Sequence, residues 1–396
     1  MLCSPSMTFT PAVLHVAIDP LTGVLSSIRS LMKAQQQRHW RSALGVIATC
    51  GYPATSLGSW GDMRVFCEVT RWSRGAVAAL EVGLLKRLPR TWLREIMAET
   101  PKKGYGVIHY HSSFYSALLL HGADVPSVVT FHGCPIAYGK DLGPLKKLLY
   151  KSLLWDMASG KSLLCMVDHR TATMTSTFFG VRRDWFKVVY NGIPPHLEVP
   201  SRAAPDSRTL RIGHVSYLDE WKGWRLTADA ALKAFSRGAN IRCFIAGSGP
   251  QAPMAKDWCA NHEEVATFLG AVEDAGASLI PTLDILVLPS MGEGLPMSIL
   301  EAVASGCVVL ATDVGGIDHA VIDNVTGHLI ERKVDAIAER LLDLDANREK
   351  LARMQIAALE YSKRLSNQHT AKAYEELYCE VLADHPELDG SHPVSR

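Results

Sequence analysis

Thirteen short apolar runs, rich in Val, Ile and Leu, recur along the 396-residue chain, and longer stretches of helical periodicity separate them. In the first half they fall at 12–18, 44–50, 64–69, 107–111, 128–132, 163–167 and 187–190. In the second they fall at 210–215, 241–246, 266–269, 285–289, 308–312 and 327–330. Runs this short and continuous read as strands buried on both faces, which is the signature of parallel sheets. Helical periodicity between them, as at 224–235 and 336–344, then predicts an α/β chain of two doubly wound, Rossmann-like domains.

The break between the domains is written in turn chemistry. Asn191-Gly192 sets a turn, and Pro194, Pro195, Pro200 and Pro205 exclude helix and central strand. The expected organisation is an N-terminal domain over 1–191, a hinge at 192–208, a C-terminal domain over 209–365 and a terminal helix and tail over 366–396. That last segment is a candidate to cross back to the first domain. Open α/β sheets bind ligands beyond the carboxyl ends of their strands, so two such domains call for a site drawn from both halves.

Composition narrows the class. Hydrophobic residues make up 47% and charged residues 20%, which is globular and excludes disorder. No apolar run reaches the roughly 18–20 residues of a spanning helix. The first residues lack a basic region ahead of an apolar one, so a signal peptide is not expected. Nine cysteines without Cys-x-x-Cys spacing suit reduced thiols and no zinc framework, and the expected location is the cytoplasm, peripherally on the inner membrane face at most. No Gly-x-Gly-x-x-Gly follows the first strand, so no dinucleotide cofactor is expected. The net charge of +1 hides an asymmetry: 22 Lys+Arg against 11 Asp+Glu in 1–195, and 19 against 29 in 196–396. A basic half of that kind suits anionic headgroups or a phosphorylated acceptor, although attraction between the halves or plain solvation would also account for it.

The densest chemical signal is 288–302, LPSMGEGLPMSILEA. A strand runs into a loop with two glycines, and Pro296 suits the first position of a helix. Amide N–H groups around Gly294, Leu295 and Met297, with the positive end of the helix dipole, make an anion site suited to a diphosphate. Glu293 precedes the helix and Glu301 lies about one turn into it, so two carboxylates can hold hydroxyls at two points of one extended ligand.

These residues carry a family resemblance. The segment 293–306 (EGLPMSILEAVASG), followed by 309–316 (VLATDVGG) and Thr326-Gly327, resembles the signature of family 4 retaining glycosyltransferases. Lys222-Gly223, 245–250 (IAGSGP), 268–270 (FLG) and 188–193 (VVYNGI) match in order and spacing. The resemblance implies a GT-B fold, two Rossmann-like domains facing across a cleft, and a nucleotide-sugar donor that is substrate rather than cofactor. It implies that Glu293 meets donor-sugar hydroxyls, that Glu301 holds the ribose, and that amides of Gly294, Leu295 and the neighbours of Pro296 hold sugar and phosphate. Lys222 would neutralise the departing diphosphate without a metal. Where the family usually has a second phosphate-binding Arg, this chain has His214, next to Ser216. A neutral imidazole supplies one donor and no fixed charge.

In the basic half, 130–133 (TFHG) resembles the family's Thr-x-His-Gly, which places His132 near donor sugar and acceptor. His111 ends the preceding strand candidate, and Gly23 falls where the family has its first acceptor loop. Lys and Arg interleaved with Leu and Trp in 64–103 and 140–161 suit an interfacial surface as well as ordinary core helices. No aromatic platform accompanies the charge, so nucleic acid is not an expected partner. The expected activity is metal-independent, retaining transfer of a hexosyl unit from a nucleotide diphosphate sugar, UDP-linked first and GDP-mannose second. The expected acceptor is the hydroxyl of a cell-surface or lipid-linked glycan. The rival readings are a non-catalytic carbohydrate- or partner-binding subunit and a sugar-nucleotide epimerase.

Overall fold

The computed structural model describes residues 12–18, 22–50, 64–73, 106–112, 126–134, 142–159, 162–193 and 209–383. They contain thirteen strands: β1 (Ala12–Ile18), β2 (Arg41–Cys50), β3 (Arg64–Ser73), β4 (Val107–Ser112), β5 (Ser127–Phe131), β6 (Ser162–Met166), β7 (Phe186–Val188), β8 (Leu210–Val215), β9 (Ile241–Ala246), β10 (Ala266–Gly270), β11 (Ile285–Leu288), β12 (Val308–Thr312) and β13 (Gly327–Ile330). Each falls on one of the thirteen predicted runs, within a few residues at its ends. The reason is physical: a strand covered on both faces takes apolar side chains at most positions, and that leaves a near-continuous run in the sequence. The strand β12, for example, is buried at all five residues.

The chain divides into two compact units. The first holds a seven-stranded sheet in the order β3-β2-β1-β4-β5-β6-β7, with every pairing parallel. The second holds a six-stranded parallel sheet in the order β10-β9-β8-β11-β12-β13. In each, the chain winds outward from one strand and then returns to its other side, so a switch point falls at β1/β4 and at β8/β11. That is where an open α/β sheet leaves a crevice beyond its carboxyl ends.

The helix Asn367–Ala383 packs in the first unit, although β8–β13 lie between it and the rest of that unit in sequence. Its apolar face (Ala371, Tyr374, Leu377, Tyr378, Val381) is buried with Val13, Leu31, Val107 and Val128. Polar contacts fix its register on the helix Thr22–Gln37. Arg38 is bidentate to Glu375, at 2.7 Å for both bonds, and Asn367 Nδ2 donates to the Ser30 carbonyl at 3.0 Å.

Two local expectations change. Gly23, expected on a loop, is the second residue of the helix Thr22–Gln37, exposed and with open space around it. Cys134, Cys165, Cys243, Cys259 and Cys307 form no disulfide, but Cys379 stands in one, so the expectation of reduced thiols fails there. Sequence spacing reports pairs that are close along the chain and is blind to pairs made by folding. The hinge expected at 192–208 lies, from 194 onward, outside the described residues, as do the side chains of 64–103. No helix among the described residues is long and apolar enough to cross a membrane.

Candidate active site

In the second unit, the carboxyl ends of β8, β9 and β11 bring the predicted residues together at the switch point. After β8 the chain turns through the short 3-10 helix Glu220–Lys222, which Asp219 caps by accepting from Glu220 N. Gly223 follows in the left-handed region (φ 75°), and a Cβ there would lie 2.5 Å from the Pro289 carbonyl. The two loops therefore touch backbone to backbone, and this sets Lys222 beside Glu293. Lys222 Nζ donates to both carboxylate oxygens, at 2.6 and 2.8 Å, and sits 4.2 Å above the Trp221 ring. Ser290 Oγ donates to Glu293 Oε1 at 2.6 Å. The pair is nearly closed to water, with side chains 13% and 6% exposed.

The loop after Glu293 is pinned by its carbonyls. Gly315 (φ 56°) lies so close that a Cβ would come within 2.2 Å of the Glu293 carbonyl oxygen. Gly316 N donates to the Gly294 carbonyl at 2.7 Å, and Asn191 Nδ2 to that of Leu295 at 2.9 Å. In a trans peptide the N–H points opposite to the C=O. Turning these carbonyls onto Gly315, Gly316 and Asn191 therefore aims the N–H groups of Gly294 and Leu295 the other way. The helix that follows is Met297–Ala304, and Pro296 is its N-cap (φ −66°, ψ 133°) rather than its first residue. That places the helix start one position later than predicted, and the first-turn amides of Met297 and Ser298, which lack intrahelical partners, continue the row.

Glu301 lies on this helix with its carboxylate against Gly276, where a Cβ would fall 2.6 Å from Glu301 Cδ and 2.8 Å from Oε2. Only glycine leaves the carboxylate that position. Similarly, Gly247 and Gly249 (φ 146° and 148°) let the loop after β9 lie on the backbone of Ser216 and Leu218.

His214 stands behind this row. It is fully buried, with Nδ1 3.1 Å from Thr227 Oγ1 and Nε2 2.7 Å from Ser216 Oγ. Burial, with the Lys222 charge adding to it, drives its pKa down to about 3, so the ring is neutral. Both nitrogens serve the protein, and the imidazole orients Ser216 instead of offering its own proton outward.

In the first unit, His132 follows β5 and His111 lies on β4. They are joined: His111 Nδ1 is 3.1 Å from His132 Nε2, and His111 Nε2 is 2.9 Å from His15 Nδ1. His15 Nε2 is 2.9 Å from Gln35 Oε1, and Gln35 Nε2 donates to Tyr378 Oη at 3.2 Å. Tyr378 Oη lies 2.7 Å from His109 Nδ1, whose Nε2 is 2.8 Å from Thr130 Oγ1. Burial lowers all four imidazole pKa values, to about 4 for His15 and His132, with neighbouring rings adding for His109 and His111. His15, His109 and His111 bring ring nitrogens within 4.8 Å of one another, a grouping of possible metal ligands that no sequence spacing reveals. All six of those nitrogens are in the hydrogen bonds just given.

Sequence reasoning missed Ser290, Gly276, Thr227, His15, Gln35 and Tyr378. Ser290 was legible, three residues before Glu293 on the same loop. The others come from distant segments and had no local signal.

The family description "Glycosyl transferases group 1" matches residues 209–347, and "Glycosyltransferase Family 4" matches residues 22–197. The chain belongs to glycosyltransferase family 4. Among relatives, it is 27% identical to EpsF of Bacillus subtilis over 57% of this chain and 62% of that protein, so under two thirds of EpsF is matched. It is 25% identical to the 2-deoxystreptamine glucosyltransferase of Streptomyces kanamyceticus, over 77% of this chain and 89% of that one. Among solved structures, Anabaena HepE in complex with UDP and glucose superposes with a TM-score of 0.72 at 18% identity, covering 93% of this chain and 99% of that one. Both units thus have the Rossmann-like architecture of the GT-B fold, and the chain is a glycosyltransferase.

Proposed function

We propose that this glycosyltransferase moves a hexosyl unit from a nucleoside diphosphate sugar, UDP-linked before GDP-linked, to a hydroxyl of a glycan acceptor with retention of anomeric configuration. The observation that carries the reading is the buried Lys222–Glu293–Ser290 triad beside the N–H groups of Gly294, Leu295, Met297 and Ser298. Lys222 is a compact cation held ready by Glu293. As the sugar–phosphate bond breaks, the diphosphate gains charge, and Lys222 with the helix N-terminus meets that charge where it develops. No step of this scheme calls on a metal. Glu293 then faces sugar hydroxyls, and Glu301, held against Gly276, accepts from the ribose. Retention follows from return of the acceptor on the departing face, with the leaving phosphate taking the acceptor's proton. His132 serves the sugar and acceptor side. The solved HepE complexes with UDP, UDP-glucose and glucose support the choice of a UDP-sugar.

The acceptor side has support in the helix Gly143–Ser159. Its inner face is buried at Tyr150, Leu153, Leu154 and Met157. The opposite face is also apolar: Leu145 and Leu148 are each 65% exposed and Trp155 58%, with Lys146, Lys147 and Lys151 around them. An exposed Leu/Trp face rimmed by lysines suits an anionic leaflet, at about 1 kcal/mol per basic residue. A lipid-linked or membrane-proximal glycan is accordingly the proposed acceptor class.

A thermal-shift panel of UDP, GDP, ADP and their sugars, on wild type and Glu301→Ala, tests the donor. One nucleotide is expected to stabilise the wild type and to lose that effect in the variant. No shift with any nucleotide would favour a non-catalytic subunit, and conversion of donor sugar without acceptor would favour an epimerase. Proton NMR of the product linkage checks retention, and an unchanged rate in EDTA checks metal independence.

A further inference from the structure

The imidazoles of the first unit form a directed chain, and the geometry points to Gln35 as the residue that sets the tautomer of His132. Each nitrogen-to-nitrogen link, His15 Nδ1 to His111 Nε2 and His111 Nδ1 to His132 Nε2, holds one proton between two neutral rings. A neutral imidazole has one N–H and one lone pair, so fixing the proton on any ring fixes it on all three. Imidazoles and hydroxyls exchange donor and acceptor ends by moving a proton, whereas a carboxamide does so only by turning over as a whole. In the orientation the structure gives it, with Oε1 toward His15 and Nε2 toward Tyr378, Gln35 is the group of this chain whose donor and acceptor ends are distinct without a proton shift.

Its Nε2 faces Tyr378 Oη, which leaves Oε1 to accept from His15 Nε2. His15 therefore carries its proton on Nε2 and accepts at Nδ1 from His111 Nε2–H. His111 in turn accepts at Nδ1 from His132 Nε2–H. The order ends with His132 Nδ1 as a lone pair. On the proposed transferase reading, on which the functional meaning of this inference rests, His132 is thereby prepared to accept a hydrogen bond from a substrate hydroxyl. Gln35 is a positioning residue acting through two rings, and its amide also contacts Tyr378 of the C-terminal helix.

The test is two-bond proton–nitrogen NMR on the full chain with 15N-labelled histidine at pH 7, with His132 assigned by loss of its signals in His132→Gln. The expected result is the Nε2–H tautomer for His15, His111 and His132 alike. In Gln35→Met the His15 Nε2–H loses its acceptor, so the proton is expected to move to Nδ1 and the order to reverse as far as His132. Gln35→Glu restores an acceptor opposite His15 and is expected to restore Nε2–H at His132. A mixed set of tautomers in the wild type would overturn the proposal. So would an unaltered His132 in a folded Gln35→Met chain, or reversal in Gln35→Glu. If Gln35→Met does not fold, the wild-type and Gln35→Glu spectra still decide. The measurement needs neither donor nor acceptor. Mixed tautomers would refute the relay and leave glycosyl transfer standing, and uniform tautomers without transfer would do the reverse.

Discussion

Replacing Lys222 by Met separates what the Lys222–Glu293 pair does for the fold from what it does for the reaction. The methionine stem keeps the packing over Trp221 and removes the charge. Glu293, with its side chain only 6% exposed, then keeps Ser290 but loses two short bonds to an ammonium. Breaking a buried pair from one side costs about 3–5 kcal/mol, and the remaining Ser290 bond favours the low end. For a domain of 150–250 residues each kcal/mol moves Tm by about 2–4 °C, so Lys222→Met should melt roughly 6–12 °C below wild type. Adding Glu293→Gln removes the stranded charge and should recover most of that loss. Transfer should be strongly reduced in both, because neither can neutralise a departing diphosphate. The assays are calorimetric melting of the unliganded chain and turnover with the donor found by the thermal-shift panel. A single variant as stable as wild type, or a double variant no more stable than Lys222→Met, would refute the buried-pair argument. Near wild-type turnover in Lys222→Met would refute the diphosphate role.

Gly276→Ala places a Cβ about 0.6–0.8 Å too close to the Glu301 carboxylate for ordinary contact. With a charged hydrogen bond worth about 1.5–3 kcal/mol, KM for the donor should rise by at least tenfold with kcat less affected, and unchanged steady-state kinetics would count against Glu301 as a ribose ligand. Stability should also depend on pH through the buried histidines. His214, near 3, and His15 and His132, near 4, are neutral in the folded chain but protonate in the unfolded chain below about 6.5. Their contribution is therefore complete above pH 6.5 and is lost as the pH falls toward 4, so urea midpoints should be level from pH 8 to 7 and decline steadily below 6.5. Equal midpoints at pH 8 and 5 would contradict the burial of these rings. On the outer face of Gly143–Ser159, Leu145→Asp with Leu148→Asp should abolish co-sedimentation with vesicles rich in anionic lipid and leave melting unchanged. Undiminished co-sedimentation would remove that helix from the proposed membrane contact.

The parts of this molecule legible in its sequence are those whose physics is local. A doubly covered strand is mostly apolar, so all thirteen strands were readable, and with them two parallel sheets. The loop that runs from β11 into the helix Met297–Ala304 was readable because its glycines, Pro296 and both glutamates lie within a few residues of one another, and a turn into a helix start is made by neighbours. Even there the helix began one residue late, because Pro296 took an extended cap conformation that the loop's bonds to Gly316 and Asn191 impose. Lys222 could be named but not paired, since a contact across 71 residues depends on how closely two loops approach at Gly223. The histidine chain was wholly a product of folding. Its seven members come from β1, β4, the end of β5, the first helix and a C-terminal helix more than 340 residues away from Gln35, and in the sequence they are scattered among many polar residues. A hydrogen bond is directional and short, so which donor meets which acceptor is decided by tertiary placement to within a few tenths of an ångström. Apolar periodicity tolerates much larger errors, and for that reason it survives in the linear sequence.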